Sequence, residues 1–96
     1  MSEIRIEKPD NAKLKQLGIP VSPKNIGDWS VWECDPSTFD WEYSDTEICY
    51  IYQGKVTVKT PSVEVEIKSG DLVTFPKGLK CTWQVKERIR KVYTFK

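Results

Sequence analysis

The sequence of 96 residues contains no histidine, so the side chain that most often serves as metal ligand and general base is absent. No apolar run approaches the length of about 18 residues that a membrane-spanning helix needs. Residues 1–8 carry charges at every second or third position, which does not fit a secretory signal peptide. We therefore expect the mature protein to begin here and to have no membrane partner.

Charge of one sign is not in excess, because 15 basic residues face 14 acidic ones and the formal net charge is +1. A dedicated nucleic-acid binder carries a clear basic excess, so we expect no nucleic-acid partner. The basic stretch 86–91 alternates around Ile89 and is interpreted as a solvated edge strand. Contact of this stretch with nucleic acid is the weaker alternative.

Cysteines are few, and Cys34, Cys49 and Cys81 are odd in number, widely spaced and form no C-x-x-C motif. A disulfide framework is therefore not expected, and a reducing, cytoplasmic compartment is the simpler interpretation. Each cysteine is by default a small buried apolar residue, and for Cys34 nothing in the sequence suggests more.

Apolar residues recur at every second position through most of the chain, which is the pattern of half-buried strands. The predicted strands are 4–6, 29–34, 39–43, 47–53, 55–60, 63–67, 72–75, 81–85 and 89–95, separated by Gly, Pro, Ser and Asp residues. Only Asn11 to Leu17 is predicted to be helical, with Asp10 or Asn11 as its cap and Gly18 after its end. The eleven aromatic residues suffice for one core, and many short strands with close turns predict a single antiparallel sandwich or barrel.

Two motifs follow each other in fixed order: Glu47-x₆-Gly54, and after fifteen residues Gly70-x₅-Pro76-x-Gly78-x₂-Cys81-x₃-Val85. Gly54 and Gly70 are predicted where strands reverse, since glycine enters positive φ without steric strain. The spacing resembles the two signature motifs of the cupin superfamily over residues 35–85. More narrowly, the runs 47–56 and 70–78 look like small RmlC-like cupins grouped with the ureidoglycine aminohydrolase cupin domain.

The resemblance implies an all-β fold, an antiparallel cupin or jelly-roll β-barrel with at most one or two short helical turns near the N-terminus. Residues 1–96 then form a single cupin domain, with 1–27 as N-terminal edge strand and connector and 28–96 as barrel body.

The resemblance also implies a metal site, and this chain departs from it at the ligand positions. Trp41, Tyr43 and Cys81 stand where the family has histidines, and only Glu47 matches. A register shifted by one residue would instead select Asp40 and Glu42, which with Glu47 would suit a hard cation. The alternation of the strand favours the first register, because its apolar face should point inward.

Neutral indole and phenol groups are poor ligands, so a divalent metal is disfavoured and no cofactor is predicted. Glu47 and Cys81 are the candidate catalytic residues. Burial among aromatic rings would push Glu47 toward its neutral, proton-donating form, and the alternative is a carboxylate hydrogen-bonded to Tyr43 or a backbone amide. A nucleophilic Cys81 lacks a histidine base, so packing or ligand contact is the favoured role.

The favoured function is binding of a small molecule in a histidine-free pocket, without a decision on whether any reaction is catalysed. The predicted lining is Trp41, Tyr43, Glu47, Cys49, Cys81 and Trp83. An alternative from another class is a homodimeric interaction module with a filled barrel, paired through an outer stripe of Ile48, Tyr50 and Tyr52. A Mn-dependent, aminohydrolase-like enzyme is a third alternative that rests on the resemblance alone.

Overall fold

Antiparallel strands make up most of the chain in a computed structural model that describes residues 4–96. The elements are β1 Arg5–Glu7, α1 Asn11–Leu17, β2 Ser30–Cys34, β3 Ser37–Glu42, β4 Glu47–Lys59, β5 Glu64–Lys68, β6 Leu72–Phe75 and β7 Lys80–Phe95. The prediction of an all-β fold with one short helix is confirmed. The one helix among residues 4–96 has seven residues and is too short to cross a membrane.

Two long strands, β4 and β7, form the centre of the fold and pair with each other along most of their length. The N-terminal half of β4 pairs with β6 and its C-terminal half with β5, while β7 pairs first with β3 and then with β2. Strand β1 adds to the free side of β6, which gives the order β1-β6-β4-β7-β2. Each long strand therefore has different neighbouring strands along its two halves, and it must bend between the two halves.

Gly54 lies at this bend, where sequence reasoning predicted a reversal of the chain. Strand β4 instead continues through Gly54, whose φ of 101° accompanies register shifts between Ile51 and Val56. A Cβ atom on Gly54 would lie 2.1 Å from the backbone oxygen of Arg88 on β7. The prediction of a turn was wrong, because the glycine allows a bulge and a close backbone approach inside a strand. Gly70, in contrast, lies in the turn between β5 and β6 with a φ of 90°.

The basic stretch 86–91 is not an edge strand, which corrects the sequence interpretation. It belongs to β7, which has neighbours on both sides. Lys86, Glu87 and Arg88 are exposed near the bend, but Ile89 and Lys91 are buried. The charged run predicts a surface position for Lys91, whereas the alternation of β7 turns its side chain inward.

Short segments before β2 cover the outer face of the sheet. Helix α1 begins as predicted, with the Asp10 side chain accepting a hydrogen bond from the Lys13 backbone at 2.9 Å, and ends before Gly18. Ile19 and Trp29 are buried against Leu72 and Val92, and together they form a second apolar cluster.

Ile48, Tyr50 and Tyr52 pack half-buried against this second cluster, and the Tyr52 hydroxyl donates to the carbonyl of Pro20. The stripe of these three residues is therefore largely covered by the chain's own N-terminal segment. These residues are half-buried and not fully exposed, and a homodimer paired through them stays a prediction.

Candidate functional site

Strands β2, β3, β4 and β7 together enclose a cavity of about 250 Å³ on the inner side of the sheet. Antiparallel pairing sets Phe39 opposite Trp83 and Ser30 opposite Tyr93, so side chains from separate parts of the sequence face one another. Nine residues line the cavity, of which seven are aromatic and two are charged: Trp32, Phe39, Trp41, Tyr43, Glu47, Trp83, Lys91, Tyr93 and Phe95.

A buried ion pair forms the charged part of the wall. The Lys91 ammonium donates a hydrogen bond to Glu47 Oε2 at 2.8 Å, and both side chains are only 6% exposed. Sequence reasoning predicted a neutral Glu47, or one bonded to Tyr43 or a backbone amide. Its partner is instead a lysine 44 residues away in the chain, so the carboxylate is compensated by a positive charge.

Three aromatic rings surround the Lys91 ammonium. Its Nζ atom lies 4.7 Å from the centre of the Trp83 ring, 5.0 Å from that of Trp32 and 5.7 Å from that of Tyr93. Ring faces carry negative electrostatic potential and attract a cation at these distances. The rings and the carboxylate together offset the loss of water around the buried ammonium.

Tyr43 and Trp83 hold each other in place beside the ion pair. The Trp83 indole N–H donates to the Tyr43 hydroxyl at 3.1 Å, and the Tyr43 ring stacks on Phe75 with centroids 4.7 Å apart. Burial, and next the negative charge of Glu47, raise the pKa of the Tyr43 phenol far above its ordinary value. Tyr43 is therefore a neutral phenol at physiological pH and not a phenolate ligand.

Trp41 and Phe95 stand at the mouth of the cavity, where each is about half exposed, at 51% and 50%. The Trp41 ring meets the Tyr43 ring edge to face at a centroid distance of 6.4 Å. Asp40 and Glu42, on the other face of β3, are exposed, as the alternation of the strand predicted. The mouth is thus aromatic, and the all-oxygen alternative with Asp40 and Glu42 is not assembled inside it.

The predicted cysteines do not line this cavity. Cys49 is fully buried in the core, and burial raises the pKa of its thiol to about 12. Cys81 faces a separate, more open cleft that it shares with Trp41, and burial raises its pKa to about 11. The thiolate is the reactive form of cysteine, so a raised pKa opposes a nucleophilic role for either thiol at neutral pH, and the catalytic role of Cys81 stays a prediction. Half-buried Cys34 lies against the carbonyl of Asp35.

All three cysteines are free thiols. The prediction of a reducing, cytoplasmic compartment stays a prediction.

The site does not fit the metal that the resemblance implies. Within residues 4–96 no group of three or more Cys, Asp or Glu side chains is arranged to hold a metal ion. Trp41 and neutral Tyr43 offer no anionic ligand, and Glu47 is already paired with an ammonium group 2.8 Å away. A divalent cation on Glu47 would meet the positive charge of Lys91.

Of the predicted lining residues, the cavity brings together Trp41, Tyr43, Glu47 and Trp83. Five others were not selected from the sequence: Trp32, Phe39, Lys91, Tyr93 and Phe95. The two-residue alternation of the strands could have identified most of them. Phe39 lies on the same face of β3 as Trp41, and Lys91, Tyr93 and Phe95 are the alternate residues of β7 that point inward.

Comparison with known proteins places this chain in a family. The sequence model of the EutQ-like cupin domain matches residues 21–93. The crystal structure of a DUF861 family protein from Thermotoga maritima is 46% identical, with a TM-score of 0.88 over 98% of this chain and 100% of that one. The structure of the EutQ protein of Clostridium difficile is 31% identical, with a TM-score of 0.64 over 70% of this chain and 54% of that one.

Acetate kinase EutQ of Clostridioides difficile (strain 630) is 33% identical over 61 residues, which is 64% of this chain. The match spans 39%, about two fifths, of the length of that protein. The narrower resemblance to the ureidoglycine aminohydrolase group stays a prediction. The matched family and the shared fold confirm the cupin prediction, and this chain belongs to the family of EutQ-like cupin domains.

Proposed function

We propose that this protein binds a small molecule in the aromatic cavity and works without a metal ion. The observation that carries the proposal is the cavity of about 250 Å³, which has seven aromatic side chains and one ion pair on its wall. Ligand sites are typically concave and mostly apolar, with a few placed polar groups. A filled barrel would have favoured the interaction module instead.

The size of the cavity limits the ligand. Sites for drug-sized molecules range from about 300 to 1,000 Å³, and this cavity is below that range. A molecule of roughly one ring with a single substituent is therefore the expected size. Stacking on indole and phenyl rings would supply most of the affinity.

The alternatives have less support in the structure. The stripe predicted for a homodimer, with Ile48, Tyr50 and Tyr52, packs against the chain's own Ile19 and Trp29. A Mn-dependent aminohydrolase would need ligands that Glu47 and its neighbours do not provide. The kinase activity in the name of the Clostridioides difficile relative is not proposed for this chain, since the match covers two fifths of that protein.

The four tryptophans make the proposal testable by NMR. Trp32, Trp41 and Trp83 line the cavity, whereas Trp29 belongs to the second apolar cluster on the outer face. A small-molecule screen followed through the indole ¹⁵N–H signals should shift the three cavity signals and leave that of Trp29 in place. Ligands that shift only Trp29, or a screen of single-ring compounds with no effect on any cavity indole, would contradict the proposal.

A substitution at the mouth adds a second test. Trp41→Ala should weaken any ligand that the screen finds by about tenfold or more, through loss of ring stacking. Because Trp41 is half exposed, the fold should survive, with little change in the thermal midpoint. Val63→Ala is the matched control, since Val63 is also 50% exposed but lies outside the cavity. Equal affinity of both variants and the wild type would remove Trp41 from the site.

A further inference from the structure

The charge of the cavity wall is balanced within the protein. Glu47 and Lys91 are the two charged residues of the lining, and they form one ion pair. A ligand with a carboxylate would bring an uncompensated negative charge into an aromatic cavity, and a cationic ligand would meet the ammonium of Lys91. Burial of an unpaired charge is strongly unfavourable. A neutral ligand avoids both penalties.

The ion pair still has unused hydrogen-bonding capacity. An ammonium group has three donors, and Lys91 uses one of them for Glu47 Oε2 at 2.8 Å. Among residues 4–96, the carboxylate of Glu47 accepts this one side-chain hydrogen bond, so its second oxygen remains an acceptor. Because both residues line the cavity, this ion pair can offer a ligand an N–H donor and a carboxylate oxygen, beside the rings of Trp32, Trp83 and Tyr93.

A carboxamide or ring lactam is the neutral group that matches this pair, because it presents a carbonyl acceptor and an N–H donor side by side. We propose that the cavity selects neutral, planar, single-ring molecules bearing an amide-type group, with the carbonyl on Lys91 and the N–H on Glu47. This inference rests on the proposed function and names its ligand class. The aromatic ring of the ligand stacks on the cavity walls, and the ion pair fixes its orientation.

Five single-ring probes test the inference: benzamide, acetophenone, benzoate and benzamidinium, which have nearly the same shape, and toluene as the smaller apolar reference. Binding is measured at pH 7 through the cavity indole ¹⁵N–H signals, with Trp29 as internal reference. Benzamide should bind at least about tenfold more tightly than toluene, since both of its polar groups find charged partners. Acetophenone keeps the carbonyl but lacks the N–H, so it should fall between the two. Benzoate and benzamidinium should bind more weakly than toluene.

Removal of the ion pair supplies the matched protein variant. In the double variant Glu47→Leu, Lys91→Met, benzamide should lose its advantage over toluene, because neither hydrogen bond can form. Lys86→Met is the control, since Lys86 is an exposed lysine on the same strand, and it should keep the full preference. The acetophenone comparison needs no variant and stays decisive even where the double substitution impairs folding.

The outcomes separate the two proposals. If no probe shifts the cavity indoles of the wild type, the proposed function fails and this inference fails with it. If toluene equals benzamide, or a charged probe binds most tightly, the ligand class is overturned while small-molecule binding stands. If acetophenone equals benzamide, or the preference persists without the ion pair, recognition of the amide by Glu47 and Lys91 is overturned.

Discussion

Removal of the Lys91 ammonium should strongly destabilise the protein. In Lys91→Met the apolar part of the side chain is kept, but the carboxylate of Glu47 loses its partner at 2.8 Å while remaining buried among aromatic rings. Breaking a buried pair in this way typically destabilises a protein by about 3–5 kcal/mol. That is a large share of the roughly 5–15 kcal/mol by which domains are stable.

The loss should be reversible by a second substitution. In Glu47→Leu, Lys91→Met no charge is buried, so the double variant should regain most of the stability that either single variant loses. The coupling energy of the cycle should therefore be at least about 3 kcal/mol. If the two residues acted independently, the double variant would be the least stable of the set.

Equilibrium unfolding in urea, followed by tryptophan fluorescence, measures all four proteins of this cycle. For a domain of this size a loss of 3 kcal/mol lowers the thermal midpoint by about 12 °C or more. Lys86→Met should change stability by less than about 0.5 kcal/mol, because Lys86 is exposed. A loss below about 1 kcal/mol for Lys91→Met, or an additive double variant, would refute the account of the ion pair.

Three further predictions follow from the strand bend and the buried thiols. Gly54→Ala should lower the free energy of unfolding by more than about 3 kcal/mol, because the new Cβ would lie 2.1 Å from a backbone oxygen of β7. Gly70→Ala is the control, since Gly70 also has a positive φ but has open space around it. It should lower the free energy of unfolding by only about 1–2 kcal/mol. Equal losses in urea unfolding would contradict the close approach. The free energy of unfolding should fall as pH rises from about 9 toward about 11. Burial raises the thiol pKa from 9.0 to about 12 for Cys49 and to about 11 for Cys81 in the folded protein. The unfolded chain therefore loses these protons at lower pH than the folded protein, which favours unfolding. A thermal midpoint that stays constant from pH 8 to pH 10.5 would count against this. In the native state at pH 8 a thiol reagent should modify half-buried Cys34 faster than Cys49 and Cys81. This fast phase of modification should disappear in Cys34→Ser. A fast phase that survives the substitution would show that a buried thiol is accessible.

Sequence alone predicted most strand segments, the helix and the facing of most side chains, because these depend on neighbouring residues, but it divided β4 and β7 into two strands each. Alternation at 63–67 and 72–75 predicted strands β5 and β6 nearly to their ends. It also turned Tyr43 inward and left Glu42 in solvent. Gly54 shows where local reasoning stops, since the same positive φ serves a turn or a bulge, and only the approach of β7 decides between them.

The ion pair at the cavity was decided by the tertiary structure. Glu47 and Lys91 are 44 residues apart, and neither position indicates the other until β4 and β7 pair. Sequence reasoning placed Lys91 in solvent because it lies in the charged, alternating stretch 86–91 that was interpreted as a solvated edge strand. Burial of a charge depends on what faces it across strands that are distant in the chain. That is why Trp41, Tyr43 and Trp83 could be predicted from their own strands, while the pairing of Glu47 with Lys91 could not.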